Sequence, residues 1–142
     1  MGDFRRLKAW QEAKRLAILS RDLVRALPRD EVFALGAQWR RAAYSVALNI
    51  AEGAAQSSVR QFRRYLEIAK GSLDEIEGVL ELVEGLGYHS AAKLEDVRLA
   101  RTHCARFVIA LARTLATLHP SAPRHRRRRS KLRSAWSHDR GP

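Results

Sequence analysis

From Leu7 to Leu118 apolar residues return every three or four positions almost without a break, and no stretch alternates in the two-residue rhythm of a half-buried strand. Such a chain can build only helices. At 142 residues it fits a single domain large enough to bury one core without staples.

Four helices follow from the punctuation. The first is expected from Phe4 to Leu27, with Leu7, Trp10, Ala13, Ala17, Val24 and Leu27 on one stripe, ended by Pro28, which has no backbone donor. Asp30 and Glu31 can start the next segment. The second helix is expected over Phe33 to Ala54, with an inner arc of Leu35, Trp39, Ala42, Val46 and Ile50 and with Gly53 helping to end it. A capping box, Ser58 facing Gln61, opens the third. Its seam is heptad-spaced: Phe62, Leu66, Ala69, Leu73, Ile76, Leu80 and Val83, stopped by Gly85 and Gly87. Ser90 is the expected N-cap of the fourth, which carries Leu94, Val97, Cys104, Val108, Leu111, Leu115 and Leu118 until Pro120 breaks the pattern. Short connections make neighbouring helices antiparallel, so the expected fold is an all-α, up-down-up-down four-helix bundle over residues 1–119. Residues 120–142 form an arginine-rich tail too polar to pack and too repulsive to fold alone, expected to be disordered.

One run is more specific than the periodicity. Gln38 to Gly53 reads Gln-Trp-Arg-Arg-Ala-Ala-Tyr-Ser-Val-Ala-Leu-Asn-Ile-Ala-Glu-Gly, and Gly71-Ser72-Leu73 lies in the helix that follows. It resembles the four-helix bundle family encoded by intervening sequences of bacterial 23S ribosomal RNA genes, whose pattern is a Gln, Arg-Ala-Ala, a Ser, Asn-Ile-Ala-Glu-Gly and then Gly-Ser-Leu. Val46-Ala47 stands where relatives often place a proline, so any kink should be weaker here. The resemblance extends from Phe4 to about Leu118 and implies the same bundle, with no catalytic residue. It also implies closed rings of five subunits, as in a related accessory protein of diversity-generating retroelements, a basic pentamer that works beside a reverse transcriptase. A homopentamer is therefore expected, and a ring would gather five tails for avidity.

Charge points to a partner. The chain carries a net +12, of which +7 sits in the tail, where Arg124, Arg126, Arg127, Arg128, Arg129, Lys131, Arg133 and Arg140 oppose only Asp139, leaving +5 for residues 1–119. Antiparallel packing brings Arg5, Arg6 and Lys8, then Arg60, Arg63 and Arg64, then Arg113 to the end from which the tail departs. Glu77, Glu81, Glu84, Glu95 and Asp96 go to the other. Helix dipoles favour the reverse placement, by about 0.3–1 kcal/mol per charge. Helical stability therefore does not account for the arginines, whereas an RNA or DNA backbone docking through these residues and Arg126–Arg129 would. Ordinary solvated charge balanced by neighbours is the competing explanation. Trp136 could stack on an unpaired base.

Gln38, Arg41, Ser45, Asn49, Glu52 and Gly53 form a polar stripe down one side of the second helix. Two readings fit it. Either it is a hydrogen-bond network fixing helix register, with Asn49 and Glu52 tying down the turn around Gly53, or it meets another subunit or a ligand.

Other functions find little support. His89, His103, His119, His125 and His138 lack ligand spacing, and no metal, cofactor or phosphate-loop motif is present. Cys104, the only cysteine, reads as a small buried hydrophobe in a reducing cytoplasm. The start, Met-Gly-Asp-Phe-Arg-Arg, lacks a signal-peptide core, and no apolar run approaches the ~20 residues of a membrane span. Arg98 and His103 loosely match the Arg–His pattern of HEPN-type ribonucleases, yet residues five apart on a helix diverge by about 140°. A non-enzymatic nucleic-acid binder is the expected function, with a protein adaptor as the alternative.

Overall fold

A computed structural model describes residues 2–120; the tail, including Arg126, Arg127, Arg128, Arg129 and Trp136, lies outside the described residues. A 3-10 turn, Phe4–Arg6, leads into α1 (Lys8–Arg25), the single-turn α2 (Arg29–Val32), α3 (Leu35–Ala54), α4 (Val59–Gly85) and α5 (Ala91–Leu118). Among the described residues there is no strand. The chain is all-α with four long helices, as its periodicity predicts.

The first helix starts later than expected. Leu7 is extended (φ −72°, ψ 125°), which separates the turn from α1, and Asp3 caps the turn by accepting the Arg5 backbone N–H. Phe4 then lies edge-on to Trp10, with centroids 5.0 Å apart. The buried line of α1 is Ala9, Ala13, Leu16, Ser20 and Val24, so Trp10 and Ala17 flank the core instead of centring on it.

Core positions of the other helices match the expected stripes. Trp39, Ala42, Val46 and Ile50 of α3 and the whole heptad seam of α4 are buried, as are Leu94, Val97, Cys104, Val108 and Leu115 of α5. Each large aliphatic side chain among them contributes about 1.5–3 kcal/mol. Leu35 and Leu111, also expected on these stripes, are only partly buried, and Leu118 is 63% exposed at the end of α5.

Cross-helix contacts fix the direction of packing. Ser45 meets Ser72, Glu52 meets Tyr65 and Gly53 meets Phe62, so α3 descends as α4 rises. Likewise α5 runs against α4 through Arg98–Glu84 and Arg101–Leu73, and against α1 through His89–Leu23 and Cys104–Ala9. Val24 and Leu27 close on Gly36, which turns α3 back along α1.

Two glycines act differently from expectation. Gly53 does not end α3, since Ala54 is still helical; it is the point where α4 comes closest. A Cβ there would stand 2.7 Å from Phe62 Cδ2 and 2.9 Å from Tyr65 Cβ. Gly85 is an ordinary helical residue, and the stop is Gly87 alone, at φ 74°. Its N–H donates to Glu84 O and that of Tyr88 to Val83 O, the paired bonds of a Schellman close.

The Gly53 contact makes a direct prediction. Gly53→Ala should destabilise the protein by about 1–3 kcal/mol in urea unfolding, as overpacking does. Combining it with Phe62→Leu should recover part of the loss through coupling of touching residues, and purely additive effects would contradict the contact.

Candidate nucleic-acid interface

The turn between α3 and α4 and the start of α4 are built first by local bonds. Ala55 N–H donates to Ala51 O and Glu52 O, Gln56 N–H to Gly53 O, and the Gln56 side chain to Glu52 O. Ser58 Oγ accepts the Gln61 backbone N–H at 3.4 Å, half of the expected box; the return bond from the Gln61 side chain is not formed. Arg60, Arg63 and Arg64 therefore project from a capped, rigid first turn and a half. Tyr65, one residue further on, donates its hydroxyl to Glu52 Oε1 at 3.1 Å. That carboxylate holds the phenol's pKa above its ordinary value.

Other segments arrive at the same end. A shallow cleft is lined jointly by Gly2–Arg5 and by Ala54 and Ala55, and another by Leu7, Lys8, Phe107 and Thr114. Arg63 and Arg113 face a common groove between α4 and α5. Of the expected contacts, Arg5 is already engaged: its guanidinium pairs with Asp3 at 3.0 Å and lies 4.7 Å from the Phe4 ring centroid. Asp3 is held below its usual carboxylate range, first by the Arg5 backbone N–H. Lys8 Nζ stands 5.8 Å from the Phe107 ring. Among the described residues Arg6, Arg60, Arg63, Arg64 and Arg113 have no carboxylate partner.

The far half of α4 behaves oppositely. Arg98 reaches Glu84 at 3.1 Å and Glu81 at 3.2 Å, and Arg101 pairs with Glu77 while donating to Leu73 O. The hydrogen bond to Glu84 is the main reason the Arg98 pKa rises. Glu77, Glu81 and Glu84 are thus each paired with a cation of the adjacent helix. Held by two carboxylates, Arg98 is also turned to α4, away from a shared task with half-buried His103.

The polar stripe divides. Asn49 Nδ2 donates to Ser45 O at 2.8 Å and to Ser45 Oγ at 2.9 Å, and Ser72 Oγ bonds Ser45 Oγ at 2.8 Å. This is the register-fixing network, but Asn49 turns back along α3 and does not reach the turn around Gly53. Backbone groups close that turn by themselves. Gln38 and Arg41 are exposed and take no part. Ser72, the α4 partner, is absent from the expected stripe; its place in Gly-Ser-Leu, next to the seam residue Leu73, was the signal for it.

Among the described residues, no group of three or more His, Cys, Asp or Glu is gathered to hold a metal ion. No described helix is long and apolar enough to cross a membrane. Cys104 is fully buried with Sγ 3.6 Å from Ala9 O, and burial pushes its thiol up to about 12. The model of the 23S rRNA-intervening sequence protein family matches residues 5–110, about three quarters of the chain, and the chain belongs to that family. No curated protein matches it.

Cys104 should accordingly resist thiol reagents at pH 8 in the folded protein and react at least about 100-fold faster in urea, since only thiolate attacks. A raised acid pKa favours the native state while the thiol is neutral. Its contribution is full below pH 9.0 and is lost as pH rises toward about 12, which unfolding curves of wild type and Cys104→Ala at pH 8 and 11 would register.

Proposed function

We propose that this member of the 23S rRNA-intervening sequence protein family is a non-enzymatic, oligomeric bundle of the cytoplasm that binds the RNA or DNA backbone through its cationic end and tail. One observation carries the reading. Along α4 the acids Glu77, Glu81 and Glu84 are paired, whereas the arginines of the first turns, Arg60, Arg63 and Arg64, stand unpaired against the helix dipole. Unneutralised cations at one pole, joined by the +7 tail, suit a polyanion whose counterions are released on contact. The buried, unpaired Cys104 fits a reducing compartment.

Self-association is supported by the outer side of α4. Ile68, Gly71, Gly78, Leu82 and Leu86 fall within one arc of the helix and are exposed. A Cβ at Gly71 or Gly78 would meet nothing within 4 Å, yet each mid-helix glycine costs about 1 kcal/mol. Close approach of a second copy explains that cost, and a ring of five is the assembly the family resemblance implies.

Binding to an unstructured RNA should weaken steeply with salt. Replacing Arg60, Arg63 and Arg64 with glutamine should flatten the log–log slope by about 2, at about 0.7 per phosphate contact, and removing residues 120–142 by several. Affinity independent of salt would instead favour the adaptor function. In light scattering, Gly71→Leu with Gly78→Leu should lower the assembly mass while leaving helical circular dichroism intact; an unchanged mass would remove this face from the assembly.

A further inference from the structure

The groove between α4 and α5 at the cationic end has a composition that phosphate binding alone does not require. Its floor is aliphatic, formed by Leu66, Val108, Ile109 and Ala112, and its rim holds Arg63, Lys70 and Arg113 with one carboxylate, Glu67. The cavity measures about 220 Å³, below the about 300–1,000 Å³ of sites for drug-sized molecules. Small, apolar-floored and cation-rimmed, it has the size for one flat ring.

We infer that this groove receives a single unpaired nucleobase, with the flanking phosphates on Arg63, Lys70 and Arg113. The inference rests on the nucleic-acid reading above and names where a base, as distinct from a backbone, is held. Charge selects the occupant: the rim cations repel the arginine-rich tail and attract an anion, while the uncharged floor asks for an apolar face between the charges. Among the described residues Arg63, Lys70 and Arg113 form no ion pair, so three cations face one carboxylate, Glu67, around the groove. Arg63 is half-buried and lines the groove, and a guanidinium in such a place can stack on a base. Glu67 is the one acceptor among the lining side chains. A carboxylate repels phosphate but accepts from exocyclic amino groups such as cytosine N4, which orients a base with its amino edge toward Glu67. A base paired in a duplex cannot present its face to such a floor, so the site is specific for unpaired strands.

The test separates base from backbone. An oligodeoxycytidylate of about twelve nucleotides and an abasic strand of equal length carry the same phosphates, and their affinities for the full-length protein are compared at one salt concentration. The groove predicts about tenfold weaker binding of the abasic strand. Ala112→Phe, which fills the floor and leaves every cation in place, should bring the two strands level. Should that variant fail to fold by circular dichroism, Ile109→Asn, at a site 37% exposed, serves the same comparison. Equal affinities in the wild type would overturn the base site while leaving backbone binding intact. Failure of both strands to bind would end both readings. A fall in assembly mass in either variant would mark the groove as a subunit contact and overturn the proposal as well.

Discussion

The approach of α3 to α4 at Gly53 sets everything downstream. With no side chain at that position the Phe62 ring and the Tyr65 stem lie directly on the α3 backbone, and the hydroxyls of Ser45 and Ser72 then meet about two turns further along α3. Apolar stripes alone tolerate sliding by a turn. A zero-volume contact at one end and a hydrogen-bonded pair in the middle do not, so the register of the long helices is fixed and the start of α4 is held at one pole. The Glu52–Tyr65 bond adds a third point at the same end.

From that register comes an asymmetry of charge. In its far half α4 presents Glu77, Glu81 and Glu84 to Arg98 and Arg101 of the antiparallel neighbour, three carboxylates against two guanidiniums. Partly exposed pairs of this kind contribute about 0.2–1 kcal/mol each, so their larger consequence is to occupy the cations of that end. Among the described residues no carboxylate pairs with Arg60, Arg63 or Arg64. The body of the protein is thus polarised, and the C-terminal part of α5 lies at the cationic end.

Much of this was legible in the sequence, for identifiable reasons. The heptad seam of α4 and the inner arc of α3 are read directly, because burial is a property of spacing and long helices sample it many times. Leu7 and Gly85 were misread. One is extended and the other helical for reasons of local conformation, the edge-on seat of Phe4 on Trp10 and the positive φ of Gly87, which periodicity does not register. The site was less legible than the fold. That Arg5 would be engaged by Asp3 two residues earlier was within reach of the sequence, but the Arg98 and Arg101 pairs and the α4–α5 groove depend on side chains more than ten residues apart meeting across helices. Of the polar stripe, Ser45 bonds across to Ser72, a residue of another helix, and Asn49 bonds back to Ser45 within its own.

The proposed function requires that the unpaired arginines of α4, and not the paired ones of α5, meet the nucleic acid. Side-chain Nε–Hε resonances report this residue by residue, in a spectrum of the protein titrated with a short single-stranded RNA. The account predicts shifts at Arg60, Arg63, Arg64 and Arg113, with Arg98 and Arg101 unmoved in their carboxylate pairs. Movement at Arg98 and Arg101, or no movement at the α4 arginines when RNA is bound, would contradict it.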